Sequence, residues 1–231
     1  MIKIKKGHTP APLLALQNVE GASYDDLRGS DKDEVKSALL ENQGYICAYC
    51  MKPINENTMG IEHFKSQSTD PHLDLDFNNM LAVCRDQNEH CDVYRSRQLD
   101  ADGKQKNFVY LPNPKSLEFA RLKFNYARAS FEITCSNDDN VTQELEKSEN
   151  LPPRNGLLNL NCKTLTDLRR SAWSAVQRRL ERRSPARLWR ETPAAIRLAE
   201  DIYREYQPSG KNKAFYPVVL LNLERHFPQL K

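Results

Sequence analysis

The spacing of apolar positions changes twice along this chain. Between Asp31 and Gly44 it is helical: Val35, Ala38, Leu39 and Asn42 share one face. Asp31 with Glu34 three positions on suits a capping box, and Gly44 fits the helix end. From Tyr45 the period shortens. Ile61-Glu62-His63-Phe64 alternates as a strand, Met80-Leu81-Ala82-Val83 reads as a second, buried strand, and the chain can turn helical from Asp92 to Arg97. Phe108 to Leu111 predicts a further short strand, ended by Pro112, Asn113 and Pro114. Leu122, Phe124 and Tyr126, then Phe131, Ile133 and Cys135, predict a hairpin turning over Ala127 to Ser130. Ser136 to Asn140 reads as a polar loop.

From Thr142 onward the period is helical again. Pro152, Pro153 and Gly156 interrupt it, and Leu157, Leu158 and Leu160 read as a buried connector. Leu165, Leu168, Ala172, Val176 and Leu180 then form a stripe at helical spacing. Thr192-Pro193 suits a helix start, with Ala195, Ala199, Ile202 and Tyr206 inward. A last helix is expected from Val218 to Phe227. At the other end, Lys3, Lys5 and Lys6 alternate with Ile2 and Ile4 until Pro10 and Pro12, which suits an edge strand or a solvated arm. Residues 13–30 suit a short helical piece and a loop. The fold class expected is α+β, mainly α-helical. Its parts are an N-terminal arm and buttress helix (1–43), a small mixed core (44–110) and a mainly helical C-terminal region (111–231).

Composition narrows the class without naming a function. With 231 residues, 39% hydrophobic and 28% charged, the chain reads as soluble and globular. No apolar run approaches the ~20 residues that span a bilayer, so no membrane partner is expected. The first residues lack an apolar h-region, so no secretory signal is expected, and a cytoplasmic location follows. No Gly-rich phosphate loop appears, so any ATPase activity belongs to another chain. The formal net charge is only +3, but residues 163–190 hold nine Lys or Arg against Asp167 and Glu181, a local net charge of +7. Arg169, Arg170, Arg178, Arg179, Arg182 and Arg183 flank the helical stripe and are the candidate nucleic-acid contacts, through phosphates. A solvated face and an acidic partner protein are the other readings of this surface.

Cysteine placement changes the picture most. Cys47 and Cys50 form a C-x-x-C, and Cys84 and Cys91 supply a second, wider pair. Four thiolates in two local pairs suit a tetrahedral zinc ion, which leaves no open position for water. The wider pair requires its loop to bulge outward, and His90 is an alternative ligand to Cys91. A thioredoxin-like redox motif would need a long helix after Cys50; Pro53, Asn55, Glu56 and Asn57 follow instead. Four metal-placed cysteines argue for a reducing compartment. Cys135 and Cys162 read as buried thiols.

Strand, loop, strand and helix, with cysteine pairs at both ends, make a small ββα unit. Over residues 44–99 the sequence resembles the HNH endonuclease family in its zinc-stapled version. The resemblance rests on Glu62-His63 on the first strand, Asn79 five residues before Cys84, and Asp92 directly after the last cysteine. Asp92 stands where the family usually has His or Asn, and Glu62 where Asp is commoner. The resemblance implies phosphodiester hydrolysis with His63 as general base, Asn79 orienting His63 or its loop, and Glu62 and Asp92 holding a catalytic divalent cation, Mg²⁺ or Mn²⁺, beside the structural Zn²⁺. DNA and RNA both remain open as substrates. The helix running into Cys47-Ala48-Tyr49-Cys50, the Ile61–Phe64 stretch and the ending through His90-Cys91-Asp92 also resemble one branch, PtuB, the nuclease subunits of Septu-type anti-phage systems, some of them retron-linked. That branch implies bacterial defence beside an ABC-type ATPase subunit, with a retron reverse transcriptase and its RNA–DNA as further partners. The alternative is a non-catalytic zinc module that tethers nucleic acid or a partner protein.

Overall fold

The computed structural model describes residues 1–5, 7–85, 90–146 and 156–231. The outward bulge expected between Cys84 and Cys91, and the interruption expected at Pro152-Pro153, fall outside the described residues. The architecture is a mixed α+β one, mostly helical, with two small antiparallel hairpins. Among the described residues no helix is long and apolar enough to cross a membrane.

The N-terminal segment is extended, but it is neither a sheet strand nor solvated. Met1 and Ile4 are buried, Ile4 N–H donates to the Pro114 carbonyl (2.9 Å), and the Met1 amino group donates to the Tyr126 hydroxyl (3.0 Å). Helix α1 (Ala11–Gln17) follows, started by prolines at Pro10 and Pro12. Helix α2 spans Gly29–Gln43, three residues longer at its start than the capping-box reading, and its N-cap is Arg28. Asp31 therefore sits in its first turn, where its charge favours the helix N-terminus. The buried face is Val35, Leu39, Leu40 and Gln43, and Gly44 ends the helix at φ 64°, the left-handed conformation that glycine adopts without strain.

The first hairpin pairs β1 (Met59–His63) with β2 (Met80–Cys84), from Met59 opposite Cys84 to His63 opposite Met80. All five β2 residues are buried. Helix α3 is a single turn, Cys91–Arg95. The second hairpin is β3 (Phe124–Tyr126) with β4 (Ile133–Cys135), in the expected place. Phe108 to Leu111 is not a strand. The Glu144 carboxylate, on helix α4 (Asp139–Glu146), accepts the backbone N–H groups of Val109, Tyr110 and Leu111 at 2.7, 3.0 and 2.6 Å. These donors are satisfied without a partner strand, and Val109 and Tyr110 point to solvent.

Three longer helices complete the chain: α5 (Lys163–Glu181), α6 (Pro193–Tyr206) and α7 (Tyr216–His226). On α6 the expected Ala195, Ala199 and Ile202 are buried. On α5 the inward stripe is turned from the expected one and contains Leu165, Arg169, Trp173, Val176 and Leu180. Arg169 thus occupies a core position. Buried side chains form one cluster from Met1 to Phe227. Bonds cross the expected boundaries: Asn212 N–H donates to the Gly44 carbonyl, Phe215 N–H to that of Met51, and Cys91 N–H to that of Leu158.

Candidate metal centre and neighbouring catalytic site

The turn carrying Cys47 and Cys50 is shaped by backbone bonds. Met51 N–H donates to the Cys47 carbonyl (3.2 Å), and Cys47 N–H donates to the Lys52 carbonyl (2.8 Å). Met51 takes φ 71° to close the turn, and Cys91 takes φ 59° at the start of α3. Gln43, from the end of α2, ties this turn to the hairpin. Its amide donates to the carbonyls of Ile46 and Ala82 and accepts from Ala82 N–H, at 3.0, 2.8 and 2.8 Å.

The four thiols meet in the interior. Cys47, Cys50, Cys84 and Cys91 are buried and their sulfurs lie within 4.8 Å of one another. The Cys47–Cys91 and Cys50–Cys84 separations are 3.8 and 3.6 Å. Sulfurs about 2.3 Å from a tetrahedral zinc stand about 3.8 Å apart, which these two separations match, so the set suits Zn²⁺. Hydrogen bonds from the other three thiols hold Cys84 far below the usual thiol range, while burial pushes Cys50 and Cys91 well above it. A divalent cation at the centre would favour the thiolate form of all four. Cys91, not His90, completes the cluster. The buried His90 places Nδ1 3.2 Å from the Cys91 sulfur and 3.8 Å from that of Cys84, as a neighbour that orients the sulfurs. Among the described residues no other group of three or more His, Cys, Asp or Glu side chains converges in this way.

His63 stands at the opposite end of β1 from the Met59–Cys84 pair. Its Nε2 is 2.8 Å from the Asp74 carbonyl oxygen. A carbonyl only accepts, so Nε2 carries the hydrogen and Nδ1 keeps its lone pair. The Tyr24 ring meets the imidazole edge-on at 4.7 Å. Burial lowers the His63 pKa, with the Asp74 carbonyl and the Asp74 and Asp92 charges opposing, so the neutral ring prevails at neutral pH. The Asn79 side chain does not hydrogen-bond to the ring. Its amide oxygen accepts from Lys65 N–H (2.8 Å), and its nitrogen donates to the carbonyls of Lys65 (2.9 Å) and Leu73 (3.1 Å). It therefore pins the loop whose Asp74 carbonyl holds His63.

Glu62, buried on the same strand, forms an ion pair with Arg95 and accepts from the Tyr49 hydroxyl (3.3 Å). Arg95 is fully buried at the end of α3. It also donates to the carbonyls of His63, Phe64 and Lys106 and to Asn107, and its guanidinium lies 4.5 Å from the Phe108 ring centre. Burial pushes the Glu62 carboxyl well above the usual range and Asp92, within hydrogen-bond reach, adds to this; Arg95 pulls the other way. Asp92 is partly exposed. A cation could be held by Asp92 and the second oxygen of Glu62, since the first faces Arg95 and Tyr49. Arg95, Tyr49 and Gln43 carry no signal in the hydrophobic pattern, because each is a polar group in an apolar place.

The candidate nucleic-acid arginines fall into distinct settings. Arg169 is inside the core, donating to the Phe131 and Leu160 carbonyls at 3.1 and 2.8 Å, and has no surface to offer. Arg170 pairs with Asp167 and Arg179 with Glu205. Arg178, Arg182 and Arg183 are exposed.

Compared with known proteins, the chain matches no family model and no curated sequence. Fold and site together define a mixed α+β chain, mostly helical, built around a buried four-cysteine centre suited to structural zinc.

Proposed function

We propose that this chain is a metal-dependent HNH-type endonuclease that hydrolyses phosphodiester bonds of nucleic acid. On this reading it is the effector subunit of a bacterial anti-phage complex that includes an ABC-type ATPase. The observation that carries the nuclease reading is the state of His63: a neutral imidazole on a strand braced beside the four-cysteine centre, with Nε2 committed to the Asp74 carbonyl and Nδ1 left as a proton acceptor. Such a ring takes a proton from water near neutral pH. Asn79 fixes the loop that sets the imidazole, so it is a positioning residue. Asp92, with Glu62 behind it, supplies the anionic donors that suit Mg²⁺ or Mn²⁺. That cation, when bound, would neutralise charge developing on the scissile phosphate. Arg95 sets the Glu62 carboxylate and the backbone of His63 in a fixed relation to the zinc-anchored helix. The four-cysteine centre serves the frame, not the chemistry.

The defence assignment rests on the sequence resemblance alone, and co-purification of the chain with an ATPase encoded beside it tests it. The nuclease assignment is tested by incubating the purified protein, alone and with that subunit, with plasmid DNA and with RNA. Cleavage in Mg²⁺ or Mn²⁺ that EDTA abolishes is expected. Absence of cleavage under every one of these conditions contradicts it.

A further inference from the structure

A cleft of about 840 Å³ lies beside the four-cysteine turn and is unused by the chemistry above. Its walls come from three separate stretches: the loop from Tyr45 to Thr58, the end of β2 at Cys84 and Arg85, and the turn before α7 at Lys211 and Asn212. Among the described residues its charged side chains are Lys52, Arg85, Lys211 and Glu56, three cations to one anion. Lys211 lies 5.5 Å from the centre of the Tyr45 ring. Asn212 is fixed by its own N–H to the Gly44 carbonyl, so the wall carrying Lys211 is anchored to the wall carrying Tyr45.

The cleft lies at the start of β1, the strand that carries His63 at its other end. Arg85 crosses β1 at Gly60, where an added Cβ would sit 3.2 Å from the Arg85 Nε. Gly60 precedes His63 by three residues, about 10 Å along a strand. The Lys32 ammonium lies 4.5 Å from the Tyr24 ring centre, and the Tyr24 ring abuts His63. Lys32 thus stands beside the candidate general base, with the Tyr24 ring between them.

Resting on the nuclease reading, we propose that this cleft seats the phosphate backbone of the substrate strand leading away from the cleaved bond, and that it, rather than the arginines of α5, is the main nucleic-acid contact. Three facts favour it. Of the α5 arginines, Arg169 is buried and Arg170 and Arg179 pair with Asp167 and Glu205, which leaves Arg178, Arg182 and Arg183 to compete with the cleft. The cleft is concave and its walls are tied together by backbone bonds. It also lies at the start of β1, the strand whose other end carries His63.

The test is binding, read separately from cleavage. Fluorescence anisotropy with labelled single-stranded DNA and with RNA of the same sequence, in the full-length protein without divalent metal, is compared between wild type, a Lys52→Gln/Arg85→Gln/Lys211→Gln variant and an Arg178→Gln/Arg182→Gln/Arg183→Gln variant. The cleft variant is expected to bind at least tenfold more weakly and to lower the slope of log affinity against log salt by about 2, at about 0.7 for each phosphate no longer neutralised. The α5 variant is expected to stay within threefold of wild type. The two oligonucleotides show whether the cleft distinguishes the sugars. Matching thermal unfolding of the variants confirms that they fold. Wild-type affinity and slope in the cleft variant, or a larger loss in the α5 variant, overturn the proposal. His63→Ala separates the two claims: if it still cleaves while the cleft variant has lost binding, the nuclease mechanism fails and the cleft stands.

Discussion

Replacing Glu62 by Gln tests what the buried strand residue is for. The change keeps size and one acceptor oxygen but removes the negative charge. Arg95, fully buried with its guanidinium among three carbonyls, Asn107 and the Phe108 ring, then loses its counter-charge. Breaking a buried pair from one side costs about 3–5 kcal/mol, because the remaining ion is left uncompensated away from water. For a chain of this length about 1 kcal/mol moves the melting temperature by ~2–4 °C, so a fall of about 6–20 °C is expected. The double variant Glu62→Leu/Arg95→Met removes both charges together. It should be less destabilised than the sum of the single changes, since neither leaves an orphan ion. The assay is thermal unfolding followed by circular dichroism, with zinc content measured in parallel to confirm that the four-cysteine centre is intact. If Glu62→Gln shifts the melting temperature by less than about 2 °C while abolishing cleavage, Glu62 is chiefly a cation ligand and the structural reasoning given for Arg95 is wrong.

Two further outcomes follow from the same geometry. Purified protein should contain one zinc per chain. Cys84→Ser should lose it together with cooperative unfolding, because a four-sulfur site contributes directly to folding; a zinc-free protein with an undisturbed melting curve would contradict this. His226 lies stacked on Trp173 at 5.5 Å and edge-on to Trp189 at 5.3 Å. Burial lowers its pKa, and Arg190, Arg128 and Arg225 lower it further. The unfolded chain therefore binds the proton first as pH falls below about 6.5, and the fold loses stability from there down to the depressed folded pKa. His226→Phe should flatten that part of the stability–pH curve. Since His63 titrates in the same direction and remains in the variant, the difference between the two curves isolates His226; identical curves would refute the assignment.

The parts of the molecule legible in the sequence are those in which polarity and position agree. Alternation at Ile61–Phe64 and the apolar run at Met80–Val83 mark the hairpin because one strand is wholly interior. The two cysteine pairs mark the metal centre because thiolates at that spacing have few other uses. Helix α6 follows its stripe of Ala195, Ala199 and Ile202 for the same reason. The misread parts are those where a polar group is buried and satisfied. Arg169 reads as a surface cation until the Phe131 and Leu160 carbonyls take its donors. Gln43 and Arg95 hold the site together, yet no periodicity points to either. Phe108–Leu111 has strand composition but loses its ladder to a carboxylate 33 residues away, which local pattern cannot show. Asn79, expected to orient His63 or its loop, bonds to the loop, and the carbonyl that meets the ring belongs to Asp74.

The account depends most on His63 as the proton acceptor. The direct measurement is the rate of nucleic-acid cleavage by His63→Ala against wild type, with Mg²⁺ or Mn²⁺, using protein whose zinc content and melting temperature match. Loss of positioned base catalysis is expected to lower the rate by about 10²–10⁴ while oligonucleotide affinity stays within threefold. Cleavage at the wild-type rate would contradict the mechanism and leave the chain as a zinc-braced module that tethers nucleic acid or a partner.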